Sequence, residues 1–195
     1  YDAFDKRWLS HEQVLETLEV LESFVIRRSI CNMPTNQLRR MLPPVFDAAG
    51  GAGSDFVNGL RKQLGGKRCP DDETFATQLA SQPLYSTAEK NARLRLILER
   101  LEFSFNHKEQ AELSGTQIEH VLPQTLTPEW ERELGDDAEE QSSRLLHTLG
   151  NLTLTKYNAE LSNKPYEVKR RDFANSHFVL NRYFAEVVRW SPDAI

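Results

Sequence analysis

The chain has 195 residues and a formal net charge of −5, and 39% of its residues are hydrophobic. Such a chain can build one good-sized domain, or two small ones, around a core that needs no disulfides. No apolar run approaches the roughly 20 residues of a membrane-spanning helix, and the N-terminus lacks the order of a signal peptide. We therefore expect a cytoplasmic globular protein, and the abrupt start at Tyr1 suggests a fragment of a longer one.

Cysteine usage and charge distribution narrow the function classes. Cys31 and Cys69 form no CxxC pair, which argues against a disulfide scaffold and against a structural zinc site. The net negative charge argues against indiscriminate DNA binding, because phosphate contacts need local positive charge. Lys and Arg nevertheless outnumber acids within residues 26–68 and 156–189. Each of these segments is either a basic binding surface or a set of solvated helix faces.

The first hundred residues have the apolar spacing of helices. In "SHEQVLETLEVLESFVIRR" the apolar residues recur at helical intervals, and Ser10 with Gln13 forms a capping box. We expect further helices in "NQLRRML", "DFVNGLRKQL", the segment from Asp71 or Asp72 to Leu79, and "STAEKNARLRLILERLEFSF". Their predicted caps are Thr35, Ser54 and the capping box of Ser86 with Glu89.

The pattern changes after Leu113. "GTQIEHVLP" and "LTLT" predict two short strands, with a helix opened by Thr127-Pro128 between them. Helical patterns follow in "KYNAELSNKPYEVKR" and "SHFVLNRYFAEVVRW", and "SPDAI" has the start of another. We therefore predict a mainly α fold in which a helical N-terminal part packs on a two-stranded hairpin plus helix. The expected division is a helical subdomain at residues 1–112 and a hairpin-containing core at residues 113–195, which together form one compact unit.

Polar residues with a possible chemical role cluster around the two strands. Glu119 and His120 lie on the first strand, Asn151 precedes the second, and Asn158 and Asn163 lie where the next helix begins. An acid, a histidine and asparagines in this arrangement fit a one-metal phosphodiesterase. There a neutral imidazole takes a proton from the attacking water while a divalent ion stabilises the charge on phosphorus. Without further context, Glu-His can equally be a strand end with a hydrogen-bonded histidine.

The strings "IEHVLPQTLTPEW" and "LHTLGNLTLTKYNAELSNKPYEVKR" resemble the C-terminal HNH nuclease domain of the GmrSD-type restriction and anti-phage defence proteins, including phosphorothioation-linked members. The helical segments on either side are similar as well, so that the resemblance covers nearly the whole chain. It implies a small ββα-metal (HNH) core and a DNA endonuclease or nickase. It also implies an N-terminal ParB-like nucleotide-hydrolysing domain, absent here, in the complete protein.

The resemblance further implies roles for individual residues. His120 corresponds to the general base and Glu119 to a metal ligand. Asn151 corresponds to the asparagine that holds the loop and orients His120 through a hydrogen bond. The last ligand is Asn158 or, as the second choice, Asn163. Because an amide oxygen is a hard ligand, the expected ion is one Mg²⁺ or Mn²⁺ per site.

Several points stay open at the level of sequence. Five basic residues, Lys156, Lys164, Lys169, Arg170 and Arg171, could contact DNA phosphates or only solvate a helix face. His147 could be a second active-site histidine or a packing residue. The alternative for the whole chain is a catalytically silent interaction or DNA-docking module that retains an HNH-like core. A regular strand also directs adjacent side chains to opposite faces, so Glu119 and His120 reach one ion only if the strand ends or bends near Val121 to Pro123.

Overall fold

The computed structural model describes residues 9–50 and 55–195, apart from the side chain of Lys67. Contacts divide the chain into one compact unit that ends at Leu79 and a second that comprises Ala80–Ile195. This division lies earlier than the boundary expected at residues 112 and 113, because the helix Ala88–Ser104 packs against the strand Leu152–Thr155. None of the described helices is long and apolar enough to cross a membrane.

The first unit is built from helices. They are α1 (His11–Ile30), α2 (Leu38–Met41), α3 (Val45–Ala48), α4 (Phe56–Leu64) and α5 (Asp72–Ser81), which runs two residues into the second unit. The predicted capping box of α1 is confirmed, because Ser10 accepts a bond from the Gln13 N–H and the Gln13 side chain accepts one from Ser10. The apolar face of α1 packs with α4 around buried residues that include Phe24 and Leu60.

The second unit places a two-stranded hairpin among helices. Its elements are α6 (Ala88–Ser104), β1 (Gln117–His120), α7 (Pro128–Leu134), α8 (Ala138–Leu145), β2 (Leu152–Thr155), α9 (Asn158–Leu161), α10 (Tyr166–Ala174) and α11 (Leu180–Glu186). Strand β1 pairs with β2 in antiparallel register. Both predicted strands are therefore confirmed, as is the mainly α fold with a small ββα core.

The core of this unit lies directly beyond the end of β1. Val121 and Leu122 are fully buried and pack with Trp130, Phe173 and Trp190. Burial of large aromatic side chains is the main source of stability in a core of this kind. The chain directly after β1 is thus anchored in a buried core cluster of the second unit.

Polar contacts tie the flanking helices to the hairpin. From α6, Arg95 donates hydrogen bonds to the carbonyl oxygens of Leu113 and Thr116, just before β1. The carboxylate of Glu102, near the end of α6, accepts bonds from the N–H groups of Val179 and Leu180 at 2.8 and 2.9 Å. A carboxylate at these positions satisfies free N–H groups at the start of α11 and interacts well with its dipole.

Some local predictions differ from the structure. Thr35 begins a 3₁₀ turn rather than capping a helix, and α6 is capped by Thr87 rather than by Ser86. The predicted cap at Ser54 lies outside the described residues. "SPDAI" forms a 3₁₀ turn at Pro192–Ala194.

The segment predicted as one helix after β2 is broken into α9 and α10. Ser162 ends α9 with φ 40°, in the left-handed region, and Pro165 precedes α10. Proline lacks an N–H and disfavours helical backbone in the residue before it, so the helix cannot continue through Lys164. The break leaves Asn158 and Asn163 in different settings, one at the start of α9 and one in the loop.

Candidate active site

The pairing of β1 with β2 sends Glu119 and His120 in opposite directions. Glu119 lies opposite Thr153 and His120 lies opposite Leu152 in an uninterrupted ladder. Because side chains alternate along a strand, the two neighbours occupy different faces of the hairpin. β1 ends at His120 and the chain bends at Val121 and Leu122, as a shared metal site was predicted to require, but the Glu119 and His120 side chains contact different partners.

On one face, Glu119 forms a buried ion pair with Lys169 of α10. Lys169 Nζ lies 2.6 Å from Glu119 Oε1, and the Lys169 side chain has no exposed surface. The same ammonium group donates to the carbonyl oxygen of His120 at 2.8 Å. Burial raises the pKa of Glu119 and lowers the pKa of Lys169, because both charged forms lose hydration, while their mutual attraction opposes both shifts. Lys169 thus connects α10 to the backbone and the side chain at the end of β1.

On the other face, His120 meets a second histidine. His120 Nε2 and His147 Nδ1 are 3.1 Å apart, within hydrogen-bond distance. The ring of Tyr85 meets the His120 ring edge-on at 4.6 Å between centroids and stacks on His147 at 5.6 Å. The Leu84 N–H also donates to the His147 carbonyl at 2.8 Å, which attaches the segment before α6 to this loop.

The surroundings of His120 keep its imidazole neutral. Burial lowers its pKa to about 4, and the neighbouring His147 and Lys169 act in the same direction. Only 6% of the residue is exposed. Burial also lowers the pKa of His147. Near neutral pH both rings are therefore uncharged, and an uncharged imidazole can accept a proton.

Asn151 holds the loop that follows β1. Its side-chain oxygen accepts bonds from the Leu122 N–H at 2.7 Å and from Trp190 Nε1 at 3.2 Å. Its amide nitrogen donates to the carbonyl oxygens of Leu122 and Leu146. All four hydrogen-bonding positions of the amide are occupied by these groups. The predicted loop-holding bonds of Asn151 are therefore present; they reach the backbone of Leu122, two residues after His120, and the orientation of His120 by Asn151 stays a prediction.

The residues predicted as metal ligands have different surroundings in the structure. Glu119 is bound to Lys169, Asn158 is half-buried at the start of α9, and Asn163 is exposed in the loop after it. Within the described residues, no three His, Cys, Asp or Glu side chains are grouped so that they could hold an ion. The ion pair engages Glu119 Oε1, and the role of Glu119 as a ligand stays a prediction.

The predicted DNA contacts fall into two groups. Lys169 is fully buried, so its predicted contact with a phosphate is wrong: the ammonium group faces Glu119 instead of solvent. The other four are at the surface. Lys156 lies 3.8 Å from a Glu112 oxygen, and Arg170 and Arg171 share Glu167. Lys164 is exposed, and among the described residues it has no acidic partner.

His147 and Tyr85 complete the site, although the sequence assigned them no firm role. His147 could have been found, because antiparallel pairing of "EH" with "LT" brings the residues just before β2 next to the end of β1. No comparable pattern marks Tyr85, which lies 35 residues before His120 in a segment without regular structure. Its position depends on tertiary packing alone.

Comparison with known proteins supplies the family. No curated protein matches the chain. The sequence model of the family described as "GmrSD restriction endonucleases, C-terminal domain" matches residues 69–195, which is well over half of the chain. The match begins at Cys69 and contains the hairpin, His120, His147 and Asn151. The chain therefore belongs to the family of C-terminal domains of GmrSD restriction endonucleases.

Proposed function

We propose that this chain is the DNA-cleaving domain of a restriction or anti-phage defence protein and that His120 is its general base. The observation that carries the proposal is the neutral His120 imidazole at the fixed end of a hairpin in a restriction-endonuclease family domain. Family membership supports nuclease activity, and the site supports the choice of base.

The proposed reaction is hydrolysis of a phosphodiester bond. His120 accepts a proton from water as the water oxygen bonds to phosphorus, and the bond from phosphorus to the leaving oxygen breaks. The leaving oxygen then gains a proton. The low pKa of His120 keeps the ring able to accept a proton, and a phosphate anion beside the ring would raise that pKa toward the ordinary value.

We also propose a requirement for one divalent ion, Mg²⁺ or Mn²⁺, as the family resemblance implies. The predicted ligands do not fit this ion in the arrangement described above, since the Glu119 carboxylate is paired with Lys169. In the proposal, therefore, the protein's own contribution is that of His120 and of the groups that hold it. Whether the ion is needed can be measured directly by cleavage with Mg²⁺, with Mn²⁺ or with EDTA.

We propose that the backbone of DNA is held by the exposed basic residues after β2. Lys156, Lys164, Arg170 and Arg171 have side chains at the surface, and contacts of this kind position a duplex without reading its sequence. Recognition of foreign or modified DNA would then come from a ParB-like nucleotide-hydrolysing domain of the same protein, acting in the cytoplasm.

The test is cleavage of supercoiled plasmid by the chain and by His120→Ala. Loss of a general base should lower the rate by at least about 100-fold. His177→Ala is the matched control, because His177 is an exposed histidine of the same unit. Far-UV circular dichroism and thermal melting show whether each variant is folded.

Equal cleavage by folded His120→Ala and by the wild type would overturn the role of His120. An intact plasmid at large excess of wild-type protein, with either ion, would favour the alternative of a silent docking module. A nicked circular product would show that one strand is cut, and a linear product would show that both strands are cut.

A further inference from the structure

We infer that His147 is a positioning residue that fixes the tautomer of His120, so that His120 Nδ1 is the atom that accepts the proton. This inference rests on the proposed function for its catalytic meaning. Its structural content, the proton position on the two rings, can be measured without any cleavage. Neither the family match nor the resemblance assigns a role to His147.

The geometry allows only one hydrogen atom between the two rings. His120 Nε2 and His147 Nδ1 are 3.1 Å apart, and only one of two facing nitrogens can carry the shared hydrogen. Two neutral arrangements are possible. Either His120 donates from Nε2 and keeps a lone pair on Nδ1, or His147 donates from Nδ1 and occupies the only lone pair of His120.

Only the first arrangement leaves His120 able to act as a base. A neutral imidazole has one nitrogen that can accept a proton, and a hydrogen bond donated by His147 would block it. With Nε2–H directed at His147, the lone pair is on Nδ1. Among the described residues, no hydrogen-bond partner lies at His120 Nδ1. This nitrogen is therefore the atom available to a water molecule and a scissile phosphate.

The structure holds His147 in place for this role. Its carbonyl accepts a bond from the Leu84 N–H, and its ring stacks on Tyr85. The Asn151 amide binds the carbonyl of Leu146, the residue before it. These contacts come from two separate segments, Leu84–Tyr85 and Asn151, so the Nδ1 atom faces His120 in a fixed orientation.

The hydrogen bond also strengthens during the reaction. When His120 accepts a proton it becomes an imidazolium, and a bond from a charged donor to a neutral acceptor is about twice as strong as a neutral one. His147 thus stabilises the charged form without carrying a charge in the resting state. The Glu119 carboxylate does not have this role, because it accepts its hydrogen bond from Lys169 on the other face of β1.

The first test measures the tautomer directly. Long-range ¹H–¹⁵N spectra of the wild-type chain at pH 7 report which nitrogen of His120 is protonated, once His120→Gln has assigned its signals. We expect Nε2–H on His120 and an unprotonated Nδ1 on His147. A His120 ring that carries its proton on Nδ1 would overturn the inference, whatever the cleavage result.

The second test compares two replacements of His147. His147→Asn places an amide oxygen near the position of Nδ1 and keeps an acceptor, whereas His147→Leu has similar bulk without one. We expect His147→Leu to lower kcat by about tenfold or more, as the loss of one hydrogen bond of about 1 to 1.5 kcal/mol predicts, with KM changed by less than about twofold. His147→Asn should recover most of kcat and keep the Nε2–H tautomer of His120.

The outcomes separate this inference from the proposed function. Equal kcat for His147→Leu and wild type, or an unchanged His120 tautomer in His147→Leu, would overturn the positioning role. The expected tautomer together with full cleavage by His120→Ala would instead overturn the proposed base and leave the proton assignment standing. If His147→Leu does not fold, the wild-type spectrum and His147→Asn still decide the question.

Discussion

Each face of β1 buries a titratable side chain, but the two side chains have different kinds of partner. On one face, the Glu119 carboxylate is charged and is matched by the ammonium group of Lys169, 2.6 Å away. On the other face, His120 meets His147, and burial keeps both rings neutral. A carboxylate and an ammonium group held in contact can stay charged without water, whereas an imidazole with a neutral partner loses its charge.

This difference indicates which residue can do chemistry. The ion pair is buried, and it holds α10 to the end of β1 through Glu119 and the His120 carbonyl. The histidine pair leaves His120 Nδ1 and His147 Nε2 without a hydrogen bond among the described residues. Of the two neighbours, Glu119 therefore acts as a structural contact, and His120 is the one to which we assign chemistry in the proposed function.

The largest expected effect comes from breaking the ion pair. Lys169→Met removes the positive charge that pairs with the buried Glu119, and an unpaired buried charge costs about 3–5 kcal/mol. Urea unfolding followed by the fluorescence of Trp130 and Trp190, both buried in this unit, measures the loss. The double variant Glu119→Gln/Lys169→Met should recover part of the lost free energy of unfolding, because the carboxylate charge is then removed along with the ammonium charge.

The matched control is Arg171→Met on the same helix. Its side chain is 73% exposed and pairs with Glu167, and surface pairs of this kind contribute at most about 1 kcal/mol. A loss below 1 kcal/mol for Lys169→Met, or equal losses for both variants, would show that the ion pair does not stabilise the hairpin face.

The second effect is the pH dependence of the histidine face. The unfolded chain binds a proton at His120 below about pH 6.5, whereas the folded chain does so only below about pH 4. Stability therefore falls as the pH drops through this window and levels off below it, by up to about 3 kcal/mol. The free energy of unfolding, measured at intervals from pH 7 to pH 4 in wild type and in His120→Gln, isolates this contribution.

In His120→Gln the ionisable group is gone, so the stability advantage of the wild type over the variant should shrink by about this amount as the pH falls. His177→Gln, at an exposed position, should leave the profile as it is in the wild type. Parallel profiles for wild type and His120→Gln would mean that the pKa of His120 is the same in the folded and the unfolded chain, which would contradict the lowered value.

These contrasts also indicate how far the sequence can be interpreted. Local signals predict the helix cap at Ser10, both strands and the mainly α fold, because spacing, capping and turn residues act over a few positions. The partners of the site lie far away in sequence: Lys169 is 50 residues from Glu119, and Tyr85 is 35 before His120. No local pattern encodes such a pairing, since it depends on how α10 and the segment before α6 pack.

The same limit explains the wrong role for Lys169. A lysine in "YEVKRRDF" next to two arginines is typical of a solvated helix face, and only the three-dimensional position of Glu119 turns it inward. By contrast, the alternation of side chains along a strand was enough to predict that Glu119 and His120 separate unless β1 ends or bends near Val121 to Pro123. The structure shows that β1 does end at His120, and that the two side chains nevertheless have different partners.

A smaller effect tests the hydrogen bonds on the Glu119 face. Thr153 lies opposite Glu119, and its hydroxyl donates to Asn181 Oδ1 at 2.6 Å, with both residues fully buried. Thr153→Val leaves that amide oxygen without its donor, which should lower the free energy of unfolding by about 1–3 kcal/mol. Thr125→Val, at an exposed position, should change it by less than about 0.5 kcal/mol. Equal losses of unfolding free energy for Thr153→Val and Thr125→Val, measured by urea unfolding, would contradict a stabilising role for the bond from Thr153 to Asn181.

The smallest expected effect separates two lysines that lie five residues apart. Lys164 is exposed and Lys169 is buried, so only Lys164 can contact a phosphate in the proposed DNA complex. Lys164→Ala should weaken duplex binding severalfold at 0.1 M salt and reduce the slope of log affinity against log salt by about 0.9, the value for one lost phosphate contact. Fluorescence anisotropy over a salt series measures both. The unfolding free energy of Lys164→Ala should stay within about 0.5 kcal/mol of the wild type. Lys169→Met should show the opposite pattern: a lower unfolding free energy, and an unchanged salt slope under conditions where the variant is folded. An unchanged slope for Lys164→Ala would remove Lys164 from the DNA surface and leave Lys156, Arg170 and Arg171 as its candidates.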